Sequence, residues 1–116
     1  MKELFTEIEY KGEKYTLAFN LNVIEEIQAE YGSFGKWGTK CEPTKGEPDL
    51  KAVKFGFAAA INEGIDMYNS ENPTATKPFF TPKQVGRIMS ELGLMDAKAA
   101  LNDAVVKSTQ SAEKNE

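Results

Sequence analysis

At 116 residues, 41% hydrophobic and 28% charged, the chain can bury one compact core but not two independent ones. The net charge is −4 and the lysines are scattered among glutamates, so no basic face forms to neutralise phosphates, and neither nucleic acid nor a membrane surface is an expected partner. There is no histidine, and the single cysteine, Cys41, has no CxxC spacing; imidazole bases, Ser-His-Asp and Cys-His pairs and an internal disulfide are all excluded.

"FTEIEYKGEKYTLAFN" comes first and reads as a β-hairpin. Phe5, Ile8 and Tyr10 lie on one arm and Tyr15, Leu17 and Phe19 on the other, around Lys11-Gly12-Glu13. The gap between Phe5 and Ile8 breaks the two-residue period, which predicts a bulge or a pairing that begins only near Glu7. Next, Asn22 with Glu25 forms a capping-box pattern, so a helix is expected from about Val23, with Val23, Ile24, Ile27 and Tyr31 on its apolar face and Gly32 as its stop. So short a helix is marginal alone and is expected to dock on the hairpin face carrying Tyr15, Leu17 and Phe19.

The glycine- and proline-punctuated "SFGKWGTKCEPTKGEP" reads as a loop holding Phe34 and Trp37. Asp49 caps a longer central helix, "LKAVKFGFAAAINEGIDMYN", in which Gly56 and Gly64 cost about 1 kcal/mol each relative to alanine unless something packs closely there. After the polar loop "SENPTATKP", Thr81, Pro82 and Gln84 mark the start of another helix and Gly93 its end. Asp96 is expected to cap a last helix carrying Ala100, Leu101, Ala104 and Val105. Residues 108–116, "STQSAEKNE" with a lysine before them, are expected as a disordered tail.

The order β-β-α-loop-α-loop-α-α predicts an α+β fold: one domain over 1–107, an N-terminal hairpin packed against a bundle of about four helices. Two strands leave open edges, which invite another chain and allow a homo-oligomer through the hairpin edge. The start lacks the apolar core of a signal peptide and no apolar run approaches the ~20 residues that span a bilayer, so the expected location is the cytoplasm.

Enzyme signatures are missing. "YGSFGKWG" follows a helix and lacks GxxxxGK[ST], so it does not cradle phosphate. Glu25 with Glu26 and Glu63 with Asp66 read as solvated faces with no companions to split their pKa values. A non-enzymatic protein without cofactor or metal is expected.

The succession "YTLAFNLNVIEEIQAEYGS", a helix starting near "DLKAVKFGFAAAINEG", "FTPKQVGRIMSELG" and a closing helix resembles the tail assembly chaperones of long-tailed phages and prophages, with the related small proteins of gene-transfer-agent clusters. The resemblance covers Tyr10 to about Val106. Leu21, Asn22, Glu25, Glu30, Tyr31, Gly32 and Ser33 match the family's first block, and Thr81, Val85, Gly86 and Ile88 its second. Pro82-Lys83-Gln84 replaces the usual acidic pair, and the inserted "TKCEPTKGEPD" lengthens the first loop. The resemblance implies a non-catalytic role in the host cytoplasm: binding the long, helical, aggregation-prone tape measure protein during tail assembly, with the tail tube protein as a second partner. It also implies that this is the short member of a pair in which a frameshift makes the longer form. A structural tail connector, or a small peptide-binding adaptor unrelated to phage, are the other readings, and gene neighbourhood separates the three.

Five residues are the candidates for partner binding: Phe34, Trp37, Phe55, Met67 and Phe79. Each reads either as an anchor for an apolar helix or as part of the core, with Phe34 and Trp37 plugging the hairpin, Phe80 stapled onto Val85 and Met67 filling a gap. Phe55 and Met67 lie off the stripe of the central helix and are expected to be exposed. Gly56 and Gly64 are expected to let a partner helix approach.

Overall fold

The computed structural model describes the backbone of residues 5–114 and the side chains of residues 5–108. The fold is α+β, as expected: strands β1 (Thr6–Tyr10) and β2 (Glu13–Leu17), then helices α1 (Leu21–Tyr31), α2 (Phe34–Cys41), α3 (Leu50–Glu71), α4 (Pro82–Leu92) and α5 (Leu94–Lys114). There is one helix more than the sequence suggested. No helix among the described residues is long and apolar enough to cross a membrane.

The hairpin is regular. Its ladder runs from Thr6 opposite Leu17 to Tyr10 opposite Glu13, so there is no bulge and pairing begins before Glu7. Lys11 and Gly12 make the turn with φ of 53° and 79°, the positive values that a tight turn matching the strand twist requires. The apparent break in period is filled by Thr6, which is buried beside Ile8 while Glu7 and Glu9 are exposed. A hydroxyl can take that inward position because it donates to the Asp103 carboxylate of α5 at 2.6 Å, which also holds the Asp103 carboxyl below its usual range.

α3 is the hub, touching β2, α1, α2, α4 and α5. Its Phe57, Ile61 and Val53 are fully buried with Leu17, Val23, Ile27, Val85 and Ile88. β2 runs so close to α3 that a Cβ on Gly64 would collide with the Thr16 carbonyl, and the Ala18 N–H donates to the Ala60 carbonyl at 3.1 Å. Lys77 reaches the Lys14 carbonyl at 3.1 Å and lies over the rings of Tyr15 and Tyr68. A lysine thus reaches each strand of the hairpin, since Lys107 of α5 donates to the Phe5 carbonyl beside β1 at 3.1 Å in the same way. Gly64 serves an internal approach by β2, in place of the expected partner helix.

Two helix starts differ from expectation. Asn20, not Asn22, caps α1: its side chain accepts from the Val23 N–H at 3.3 Å, and the helix opens at Leu21. The amide groups of Asn20 and Asn22 both donate to the Glu63 carboxylate, at 2.8 and 3.0 Å, which ties the start of α1 to α3 and gives Glu63 the companions that its sequence context did not show. With α3 on the hairpin, α1 docks on α2 and α3. α5 opens at Leu94, directly after Gly93, so Asp96 lies in its first turn instead of capping it. The same helix continues to Lys114 through most of the segment expected as a disordered tail; 115–116 lie outside the described residues. Thr81, Pro82, Gln84 and Gly93 bound α4 as expected, with both capping-box bonds present.

Asn20→Ala should cost about 1 kcal/mol or more, since it removes the acceptor for an orphan N–H and one bond to Glu63. Asn22→Ala should cost distinctly less. Denaturation midpoints of the two variants check this, and a larger loss in Asn22→Ala than in Asn20→Ala would return the cap to Asn22.

The stretch expected as a loop contains α2, capped by Ser33, whose hydroxyl accepts from the Lys36 N–H at 3.0 Å. Gly35 and Gly38 depress helix propensity here, but Trp37 supplies the packing that overrides it. The indole is 4% exposed, donates to the Ala52 carbonyl at 2.8 Å and lies over the bare backbone of Gly56. Gly56, like Gly64, thus admits a group of this chain.

Candidate functional site

Two asparagines seven positions apart on α3 hold an extended segment along that helix. Asn69 accepts from the Lys77 N–H at 2.8 Å and donates to the Lys77 carbonyl at 2.9 Å; Asn62 does the same for Phe80, at 2.9 and 3.0 Å. Each amide satisfies both backbone groups of one residue, as a neighbouring strand would. The spacing of two helical turns in "NEGIDMYN" was the signal in the sequence for this clamp. Phe80 turns inward, edge-on to Tyr10 and Tyr15, and Phe79 is left 54% exposed beside α3.

Between that segment and α1 runs an open groove of about 660 Å³. Its floor is one face of α3, where Phe55, Ala58, Ala59 and Asn62 follow one another at helical spacing, and its walls are Glu26 of α1 on one side and Phe79 with Pro82 on the other. Lys51 and Lys54 lie toward the N-terminal end of the α3 face, Glu63 and Asp66 toward its C-terminal end. From Lys51 to Asp66 the face is about 22 Å long, four turns of helix. Glu26 has its carboxyl pKa raised by burial and by the nearby charge of Glu63.

A second hollow of about 190 Å³ lies between α2 and α5, bordered by Phe34, Trp37, Cys41, Leu101 and Val105. Phe34 is 38% exposed and packs on Phe19 and Trp37. The Cys41 thiol is buried and pushed up to about 11 by that burial, so at neutral pH it is not the thiolate that a nucleophile must be.

The five candidates thus separate. Phe55 and Phe79 share the α3 groove; Phe34 and Trp37 border the smaller hollow, with Trp37 in the core; Met67 is half-buried and lines neither. Phe55 is not the open anchor expected, because its ring packs edge-on against Tyr31 at 5.4 Å and leaves only part of itself to the groove. In the sequence the lysines and alanines of the groove carry no reading and its acids read only as solvated faces, although Lys51, Phe55, Ala58, Asn62 and Asp66 recur at three- and four-residue steps off the Val53-Phe57-Ile61 stripe.

Two polar groups inside the groove are engaged within the chain, Asn62 by Phe80 and Glu63 by the two asparagines. What remains toward a visitor is an apolar middle with charge at both ends. Among the described residues no three His, Cys, Asp or Glu side chains are grouped to hold a metal ion. No protein-family model, curated protein or solved structure matches this chain.

Proposed function

We propose that this protein is a non-catalytic tail assembly chaperone that holds a helical segment of a tape measure protein in the α3 groove. The observation that carries this reading is the groove itself: about four helical turns long, floored by Ala58 and Ala59 and rimmed by the exposed Phe79. Alanines on the floor admit a second helix closely, and an aromatic on the rim can enter between its side chains. An exposed apolar rim suits transient shielding of an aggregation-prone helix. The sequence resemblance to tail assembly chaperones supplies the identity of that helix. The hairpin edge is the less favoured contact, because antiparallel pairing of two β1 strands about Ile8 would set Glu7 opposite Glu9 in both directions.

Co-expression with the tape measure protein of the same gene cluster tests the proposal. This chain should raise the soluble fraction of that protein, and Phe79→Asp should abolish the effect while moving the thermal midpoint by no more than about 2–3 °C, as for a surface change. A tape measure protein equally soluble without this chain would defeat the reading. Full rescue by Phe79→Asp would remove the groove from it.

A further inference from the structure

The groove has a direction as well as a shape. Lys51 and Lys54 stand at the N-terminal end of α3, where the helix dipole is also positive; Glu63, Asp66 and the facing Glu26 stand further along the helix, before its last turn, and set a negative end by their side-chain charges. Side chains and backbone therefore add at the basic end, and the acidic side chains give the groove its other pole. Resting on the helix-binding reading above, we infer that the groove takes its helix antiparallel to α3, selecting a segment with Lys or Arg in its first turn, an apolar stripe in its middle and Asp or Glu in its last turn.

Three features of the groove agree on that occupant. Its basic end meets Glu26 and Asp66, its acidic end meets Lys51 and Lys54, and its own dipole opposes that of α3. A parallel helix of reversed charge order would match the side chains but set the two dipoles against the field. The charge order selected has a further consequence. Basic residues at a helix N-terminus and acidic ones at its C-terminus oppose the segment's own dipole, so such a segment is a poor helix alone and becomes one on docking.

The probe is a synthetic peptide of about 16 residues, four turns long, with lysines in the first turn, a leucine stripe at helical spacing and glutamates in the last turn. It carries a nitroxide at its basic end and is added to the isotope-labelled full chain. The expected result is broadening of the amides around Ile65 to Met67 with those around Lys51 to Lys54 spared, together with a gain of peptide helicity. In a protein with Lys51→Glu, Lys54→Glu, Glu26→Lys and Asp66→Lys the broadened set should move to the other end. Replacing only the two lysines by glutamate should weaken the peptide by on the order of tenfold at low salt and by much less in high salt. Docking with both ends broadened equally, or with the same pattern in the swapped protein, would overturn the direction and leave the groove as a helix site. Absence of any groove shifts would overturn the helix-binding reading too, and groove shifts that grow with protein concentration without peptide would assign the groove to a second copy of this chain.

Discussion

Gly64→Ala should destabilise the domain by about 3 kcal/mol, which for a chain of this size lowers the thermal midpoint by roughly 10 °C. In an exposed helix the same change would stabilise by about 1 kcal/mol. Here the opposite sign follows from what lies over Gly64: the added Cβ would run into the carbonyl oxygen of Thr16 and sit within 2.9 Å of its carbon. Both are backbone atoms of β2 and have no rotamer to relax into. The strand would have to move off α3, and the bond from the Ala18 N–H to the Ala60 carbonyl would lengthen with it. Faster hydrogen exchange at Ala18 is the local readout. A midpoint within about 2 °C of the parent chain would mean that β2 does not rest on α3 as described.

Trp37→Ala should cost about 3–5 kcal/mol, a large share of the 5–15 kcal/mol that separates a folded domain from its unfolded chain. The residue carries a buried hydrogen bond to Ala52, contacts with Phe19 and Phe34, and the packing that makes α2 a helix. A second substitution makes the test specific. In the parent chain Gly56→Ala should destabilise, because its Cβ meets the indole ring; in the Trp37→Ala background the ring is gone, and Gly56→Ala should become neutral or stabilising through helix propensity. Urea midpoints of the four proteins in this cycle, followed by far-ultraviolet dichroism, give the coupling directly. Additive effects would mean that the indole does not lie on Gly56. No such rescue exists for Gly64, whose obstacle is main chain.

These two glycines also mark where sequence reading stopped. In the sequence both read as costly in a helix and as openings for an incoming partner, although the groups they admit belong to the same chain. Their neighbours, Thr16 and Trp37, are remote in sequence, and nothing local in "KFGFAAAINEG" names them. The groove was hidden for the same reason. Phe55 and Phe79 were legible as unplaced aromatics, but they share one hollow only because Asn62 and Asn69 lay the segment ending at Phe80 along α3.

What the sequence determined by itself is the set of features whose causes lie within a few residues. The α+β class, the tight turn at Lys11-Gly12, the starts of α3 and α4 at Asp49 and Thr81 and the stops at Gly32 and Gly93 all follow from caps, turn residues and periodicity, which act over one or two helical turns. Tertiary structure decided the rest. α2 is a helix because a buried indole outweighs two glycines, and Thr6 is an inward strand residue because its hydroxyl donates a hydrogen bond to Asp103, far away in the sequence. Asn20 outcompetes Asn22 as cap while both are drawn to Glu63. Each of these choices pits a weak local preference, worth about 1 kcal/mol, against burial or a satisfied polar group worth more, and the larger contribution comes from a partner that only the folded chain brings near.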